Sequence, residues 1–325
     1  MKNKSSALLG ATLSGVLLLA ACGSSDPGSS DAGSGPRVVA SFYPFAYVVE
    51  QVAGTSVDVE NLTTPGTEPH DLELKPRQVA DVQDADLVVY ETGFQAAVDQ
   101  AVDQGDLSDD QRLDVADVVT LLQAGEDGAE EEGHDHEGED HAHEDEEGHD
   151  HGGTDPHVWL DPANMARITD AVVERLGDVD PDQADTFEQN GEAFKAELTT
   201  LDTSFREGLA TCETRDVVTS HAAFGYLAEA YDLVQVPIAG IEPGNEPTAA
   251  QLADITRLVR EDGITTIFTE ELASPAVAET VARETGATTA TLSPIEGLTD
   301  DTADQTYLTL MQQNLAALQK ANRCS

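Results

Sequence analysis

From Arg37 onward, short aliphatic and β-branched runs alternate with stretches whose apolar positions recur every three or four residues. That alternation of strand and helix patterns builds α/β domains with mainly parallel sheets. In the first half, strands are predicted at 37–42, 57–62, 86–90 and, more briefly, 118–121, with helices near 45–53, 76–83 and 95–104. In the second half, strands are predicted at 216–220, 233–237, 265–269 and 287–292, with helices near 222–231, 248–261, 275–285 and 302–321. The two halves share a grammar without a residue-level repeat, so two similar lobes are expected rather than a duplicated sequence.

Between the halves, Phe187, Phe194, Leu198, Leu201, Phe205 and Leu209 recur at intervals of seven, four and three, which is one face of a long helix over 181–209. Asp180 as N-cap and Pro181 at the first helical position would fix its start. A helix of about 40 Å at 1.5 Å per residue would join the lobes rigidly. A helix packed on one lobe alone would carry the same periodicity.

Two segments break the pattern. Residues 1–22 begin with Lys2 and Lys4, continue through an uncharged apolar-to-small run and end in Leu19-Ala20-Ala21-Cys22. This is the layout of a secretory signal, too short for a comfortable membrane span, and its end resembles a bacterial lipobox in which Cys22 carries lipid. A Gly/Ser/Asp/Pro tether at 23–36 follows. The second segment, 126–151, holds fourteen acids, neither Lys nor Arg, and six of the chain's nine histidines. It lacks the apolar surface to fold, so a solvated insertion is expected. Its His-x-His pairs, His134/His136, His141/His143 and His149/His151, suit auxiliary capture of a borderline cation such as Zn²⁺.

The domain plan is therefore a signal at 1–22, a tether at 23–36, a first lobe at 37–180 containing the insertion, a linking helix at 181–209 and a second lobe at 210–325. With 39% hydrophobic residues in 325, each lobe can build a core. The balance of 63 acidic against 16 basic residues, a net charge of −47, repels phosphate backbones and excludes nucleic acid as a partner. The remaining cysteines, Cys212 and Cys324, are expected to form a disulfide in an exported chain.

Outside the insertion the chain has three histidines. His70 lies past the second predicted strand, His157 before a helix, and His221 between a strand's C-terminal end and a helix. Ligands of open α/β sheets collect at the carboxyl ends of strands, so the three imidazoles can meet in a crevice between the lobes.

The sequence resembles the metal-specific solute-binding lipoproteins of bacterial ABC importers, of the zinc-uptake type. The residues that carry the resemblance are Ala40-Ser41-Phe42-Tyr43-Pro44, the Gly-x-x-Pro-His-Asp loop at 66–71, Ala85-Asp86-Leu87-Val88-Val89-Tyr90, Asp155-Pro156-His157-Val158-Trp159-Leu160-Asp161-Pro162, Ser220-His221-Ala222-Ala223-Phe224-Gly225-Tyr226 and Phe268-Thr269-Glu270. The resemblance covers nearly all of the mature chain. It implies two α/β lobes joined by a long rigid helix, a metal held between them by His70, His157 and His221, and a His-rich acidic loop of the kind at 126–151. In manganese-type relatives a Glu takes the third position, and three imidazoles suit zinc better. Ser293 stands where the family often places an Asp as fourth ligand. A water, Glu270, Glu296 or Glu68 would each complete the set.

The function implied is capture of Zn²⁺ outside the membrane and delivery to an ABC permease, by a lipid-anchored monomer that is not an enzyme. Zinc affinity should fall between about pH 7.5 and about 5.5, because the imidazoles must be neutral to bind. A zinc hydrolase is the alternative from another class, but neither a His-Glu-x-x-His nor a Gly-x-Ser-x-Gly motif occurs in the sequence. A zinc-storage, chaperone or adhesin lipoprotein that uses the insertion without transport is the other.

Overall fold

The computed structural model describes residues 35–124 and 153–325. The lipidation site Cys22 and the histidines His134, His136, His141, His143, His149 and His151 lie outside the described residues. Among the described residues, no helix is long and apolar enough to cross a membrane.

The described chain forms two sheets of four strands, and every strand pair is parallel. The first sheet has the order β2-β1-β3-β4, from β1 (Arg37–Ala40), β2 (Asp58–Asn61), β3 (Leu87–Tyr90) and β4 (Arg112–Asp114). The second has the order β6-β5-β7-β8, from β5 (Asp216–Thr219), β6 (Val234–Pro237), β7 (Thr266–Thr269) and β8 (Thr288–Thr291). Parallel neighbours need crossovers, supplied by α1 (Tyr43–Ala53), α2 (Pro76–Gln83) and α3 (Ala96–Gln104) in the first lobe. In the second they are α6 (Gly225–Tyr231), α7 (Ala249–Glu261) and α8 (Ala276–Thr285). Strand order reverses beside β1 and beside β5, which opens a crevice at the carboxyl ends of the central strands.

The period of two along each central strand divides the core. Val38, Ala40, Leu87, Val89, Val217 and Phe268 point into one continuous apolar cluster that spans both sheets. Their neighbours Val39, Val88 and Tyr90 face a smaller cluster under α2 and α3, while Val218 and Ile267 face another under α7 and α8. Central strands buried on both faces read as uninterrupted apolar runs, and for that reason they were visible in the sequence.

The shared cluster is completed by α4 (Pro162–Val179), α5 (Ala184–Gly208) and α9 (Tyr307–Ala321). The α5 helix presents buried Phe187, Phe194, Leu198, Leu201 and Phe205 along one face. Toward its start, Asn190 Nδ2 donates to the Val52 carbonyl of α1. Toward its end, Phe205 stacks on Tyr231 of α6, and Gln319 of α9 donates to the Gly208 carbonyl. A disulfide joins Cys212, before β5, to Cys324, beyond α9.

Three expectations about elements need correction. The fourth strand of the first sheet is β4, not 118–121. At the sheet's edge β4 buries only Leu113, flanked by half-buried Arg112 and Asp114, so it has no apolar run to announce it. The long helix starts at Ala184, because Asp180 instead closes α4, its amide donating to the Leu176 carbonyl, and Pro181 follows in a turn. A residue before proline is driven out of the α region, so the Asp-Pro pair marks an end here and not a beginning. Finally, α6 and α9 start later than expected. Residues 222–224 are taken by the turn that carries His221, and Thr306 caps α9 by accepting from the Thr309 amide.

Candidate metal centre

His221 sits two residues past β5 and Glu270 directly past β7, the strands that flank the reversal point of the second sheet. His70 follows β2 in the first lobe, His157 precedes a single 3₁₀ turn (Val158–Leu160) that leads into α4, and Glu296 follows β8. Each loop is held by specific bonds. The His70 amide donates to Glu68 Oε1, and Gln95 Nε2 donates to the Pro69 carbonyl and to Thr63 Oγ1. The His221 carbonyl accepts from Thr219 Oγ1 and Gln235 Nε2. The His157 amide donates to Asp155 Oδ1, which fixes the turn from within.

These loops bring His70, His157, His221 and Glu296 into one buried group, each offering a donor atom within 4.8 Å of the others. Glu296 Oε1 lies 3.3 Å from His70 Nε2, 3.3 Å from His157 Nε2 and 3.4 Å from His221 Nε2. The Nε2 atoms of His157 and His221 are 3.3 Å apart. A Zn²⁺ ion about 2.0–2.1 Å from four donors in a tetrahedron sets those donors about 3.3–3.4 Å apart. These four separations match four of the six edges of that tetrahedron.

The far side of each ring faces a carboxylate. His157 Nδ1 is 2.7 Å from Asp155 Oδ1, His221 Nδ1 is 2.6 Å from Glu270 Oε2, and His70 Nδ1 is 3.4 Å from Glu242 Oε2. At His157 a proton held on Nδ1 by Asp155 leaves the Nε2 lone pair turned inward, the tautomer that ligates metal, while at His221 and His70 the carboxylate lies beside Nδ1 without a hydrogen bond to it. The rings themselves are enclosed, with Phe94 edge-on to His70 at 4.8 Å and Trp159 at 5.2 Å from His157.

Electrostatics at the centre favour a cation. Burial by itself would push the His70 imidazole down, but Glu242 and Glu296 outweigh burial and hold it at about 9. Burial is likewise overcome at His221, where Glu270 and Glu296 raise the imidazole to about 10. Glu296, which burial would push up, is held well below the usual carboxylate range by His157, His221 and His70. The buried carboxylate thus stays charged and demands positive charge around it, from ring protons or from a metal dication.

All three body histidines named from the sequence come together here. Of the carboxylates considered for the fourth position, Glu296 faces the three Nε2 atoms. Glu270 instead stands behind His221, and Glu68 accepts from the amides of His70 and Asp71. Ser293 does not join the group; its Oγ accepts from the Ile295 amide. The sequence left a water, Glu270, Glu296 and Glu68 open for the fourth position, and the feature that selects Glu296, a left-handed turn at Ile295, is a backbone property.

A family model described as zinc-uptake complex component A, periplasmic (ZnuA), matches residues 38–321. The zinc-binding lipoprotein AdcA of Streptococcus pneumoniae (strain ATCC BAA-255 / R6) is 38% identical over 287 residues, covering 87% of this chain and 55% of AdcA. The chain thus spans about half the length of the AdcA relatives it matches. The high-affinity zinc uptake system protein ZnuA of Bacillus subtilis (strain 168) is 37% identical over 310 residues, 93% of each chain. Among solved structures, the Zn(II)-bound ZnuA-like domain of S. pneumoniae AdcA superposes with a TM-score of 0.71 at 34% identity, covering 89% of this chain and 99% of that one. The metal-dependent lipoprotein YcdH of B. subtilis gives 0.70 at 33% identity, covering 88% and 99%.

Proposed function

Because this chain belongs to the ZnuA family of zinc-uptake components, we propose that it captures Zn²⁺ outside the cell membrane and delivers it to the permease of an ABC importer. In this reading His70, His157, His221 and Glu296 are the ligands, and zinc is the cargo rather than a resident cofactor. The observation that carries it is the set of 3.3–3.4 Å separations from Glu296 Oε1 to the three Nε2 atoms and between the Nε2 atoms of His157 and His221. Three imidazoles and one carboxylate form a nitrogen-rich tetrahedral set, which suits zinc better than the harder, oxygen-preferring manganese.

Four protein donors also fill every position of a tetrahedron, whereas a hydrolytic zinc keeps one position for water. This supports a binder over an enzyme. The lipobox-like end at Cys22 supports anchoring of the chain to the outer face of the cell membrane, and the named lipoprotein AdcA agrees with that placement. The histidines of 126–151 serve in this reading as auxiliary capture groups of lower affinity.

Native mass spectrometry under chelator competition tests the proposal. The chain should retain one tightly held zinc, and His157→Ala should lose it. Retention of that zinc by His157→Ala would mean that the metal sits elsewhere.

A further inference from the structure

The segment that delivers Glu296 has unusual local geometry. Ile295 has φ of 58°, in the left-handed region that a β-branched side chain avoids, and it is fully buried. Such a residue persists only where its surroundings over-determine it. The surroundings here are polar groups buried around the same turn. The Ser293 amide donates to Asn314 Oδ1 at 2.8 Å, and Asn314 Nδ2 donates back to the Ser293 carbonyl at 2.7 Å. Ser293 Oγ accepts from the Ile295 amide at 3.3 Å. Trp159 Nε1 donates to the Pro294 carbonyl at 2.7 Å, and the Trp159 carbonyl accepts from Tyr307 Oη at 2.7 Å. Beyond Glu296, the Leu298 carbonyl accepts from the Gly66 amide of the loop that carries His70.

These bonds share one consequence. An extended or right-handed Ile295 would turn the following residue away from the three imidazoles, so the left-handed turn is what aims Glu296 inward. Asn314 is a buried side-chain amide in the interior of α9 whose oxygen and nitrogen are both spent on the backbone of Ser293. Trp159 lies two residues from His157, so its indole couples the His157 segment to the Glu296 segment directly.

We infer that Asn314 and Ser293, together with Trp159, are positioning residues that hold the left-handed turn at Ile295 and thereby set the Glu296 carboxylate in the metal centre. Ser293 contributes through the backbone of this turn and not through the metal. The inference rests on Glu296 being a ligand, and its test separates the two ideas.

The test is a double-mutant cycle on the full chain, with zinc affinity read by chelator competition and the Co²⁺ absorption spectrum as a coordination signature. Ser293→Ala removes only the hydroxyl and leaves both Asn314 bonds to the backbone, so it should fold even if Asn314→Ala does not. In the otherwise native chain Ser293→Ala should weaken zinc by about fivefold, the scale of one hydrogen bond, and shift the Co²⁺ bands. Asn314→Ala should weaken it further. In a Glu296→Gln background both changes should leave zinc affinity within about twofold, because the group they position has lost its charge. Equal losses in both backgrounds would mark a general structural role and overturn the inference, as would native affinity in Ser293→Ala and Asn314→Ala. Native affinity in Glu296→Gln alone would remove Glu296 as a ligand, and the inference with it.

Discussion

The Nε2 atoms of His157 and His221 face each other across 3.3 Å. Both rings have a carboxylate behind Nδ1, Asp155 for one and Glu270 for the other. With Nδ1 protonated on each ring, two lone pairs would oppose each other at hydrogen-bond distance, an arrangement that requires a proton or a cation between or beside them. Glu296 Oε1, 3.3 and 3.4 Å from the same two atoms, adds a negative charge to that demand.

The Glu296 carboxylate is expected to contribute more to zinc affinity than an outer partner does. Loss of an outer hydrogen-bond partner costs about 10–100-fold in metal affinity, and loss of a charged ligand should exceed that range. Glu296→Gln, titrated with zinc against a chelator of known affinity, should therefore bind more than about 100-fold more weakly than the native chain. A change of less than about tenfold would place the carboxylate outside the coordination sphere.

Zinc binding should release protons well above the usual imidazole range. His70 at about 9 and His221 at about 10 are protonated in the metal-free protein at neutral pH, and both must be neutral to ligate. Calorimetry in two buffers of different ionisation enthalpy at neutral pH should report protons released as zinc binds, those of His70 and His221 among them. Affinity should still be rising above pH 7.5, so the fall between about pH 7.5 and about 5.5 expected from an ordinary imidazole continues a trend that begins higher. A zinc affinity independent of pH from 7 to 9 would contradict this account.

The metal-free protein should show the opposite dependence. An imidazole whose folded pKa is raised stabilises the fold fully below its unfolded value of about 6.5. That stabilisation is lost as pH rises through about 9 for His70 and about 10 for His221. The thermal midpoint of metal-free protein should accordingly decline from pH 6.5 toward 10, while the shift produced by zinc grows. A metal-free midpoint that climbs over this range would refute the assignment.

Gly225 offers a way to disturb His157 without touching a ligand. A Cβ at this position would lie 2.4 Å from Asp155 Oδ2. Gly225→Ala must push Asp155 from its place behind His157, and the expected result is a loss of about 10–100-fold in zinc affinity in a chain that remains folded. Circular dichroism and chelator competition on the same sample check both halves of the statement.

The bridge between Cys212 and Cys324 closes a loop with a sequence separation of 112. On the chain-entropy account a loop near that length stabilises by about 4.7 kcal/mol. The double change to serine should lower the denaturation midpoint markedly while one zinc is still bound per chain. Loss of zinc in folded protein would show that the bridge also shapes the metal centre.

How much of this was legible in the sequence depended on what each residue's neighbours do. The strands β1, β3, β5 and β7 are buried on both faces or nearly so, and their aliphatic runs identify them directly. Edge strand β4 buries a single side chain, so the apolar cluster after it, which packs on the core without pairing, drew the prediction instead. His70, His157 and His221 were legible because histidine is scarce in the folded body, His70 and His221 lie between a strand and a helix, and His157 lies just ahead of a helix. Glu296 was a candidate beside Glu270, Glu68 and water but could not be singled out, because its place depends on a backbone turn held by Asn314 and Trp159, which lie 18 residues after it and 137 before it in sequence (314 − 296 and 296 − 159).

The most direct test of the central claim is anomalous diffraction at the zinc edge from crystals of the zinc-loaded chain. One strong peak is predicted within about 2.0–2.2 Å of the Nε2 atoms of His70, His157 and His221 and of a Glu296 carboxylate oxygen. A principal peak elsewhere, or one at this position with Glu296 turned away and water in its place, would contradict the account.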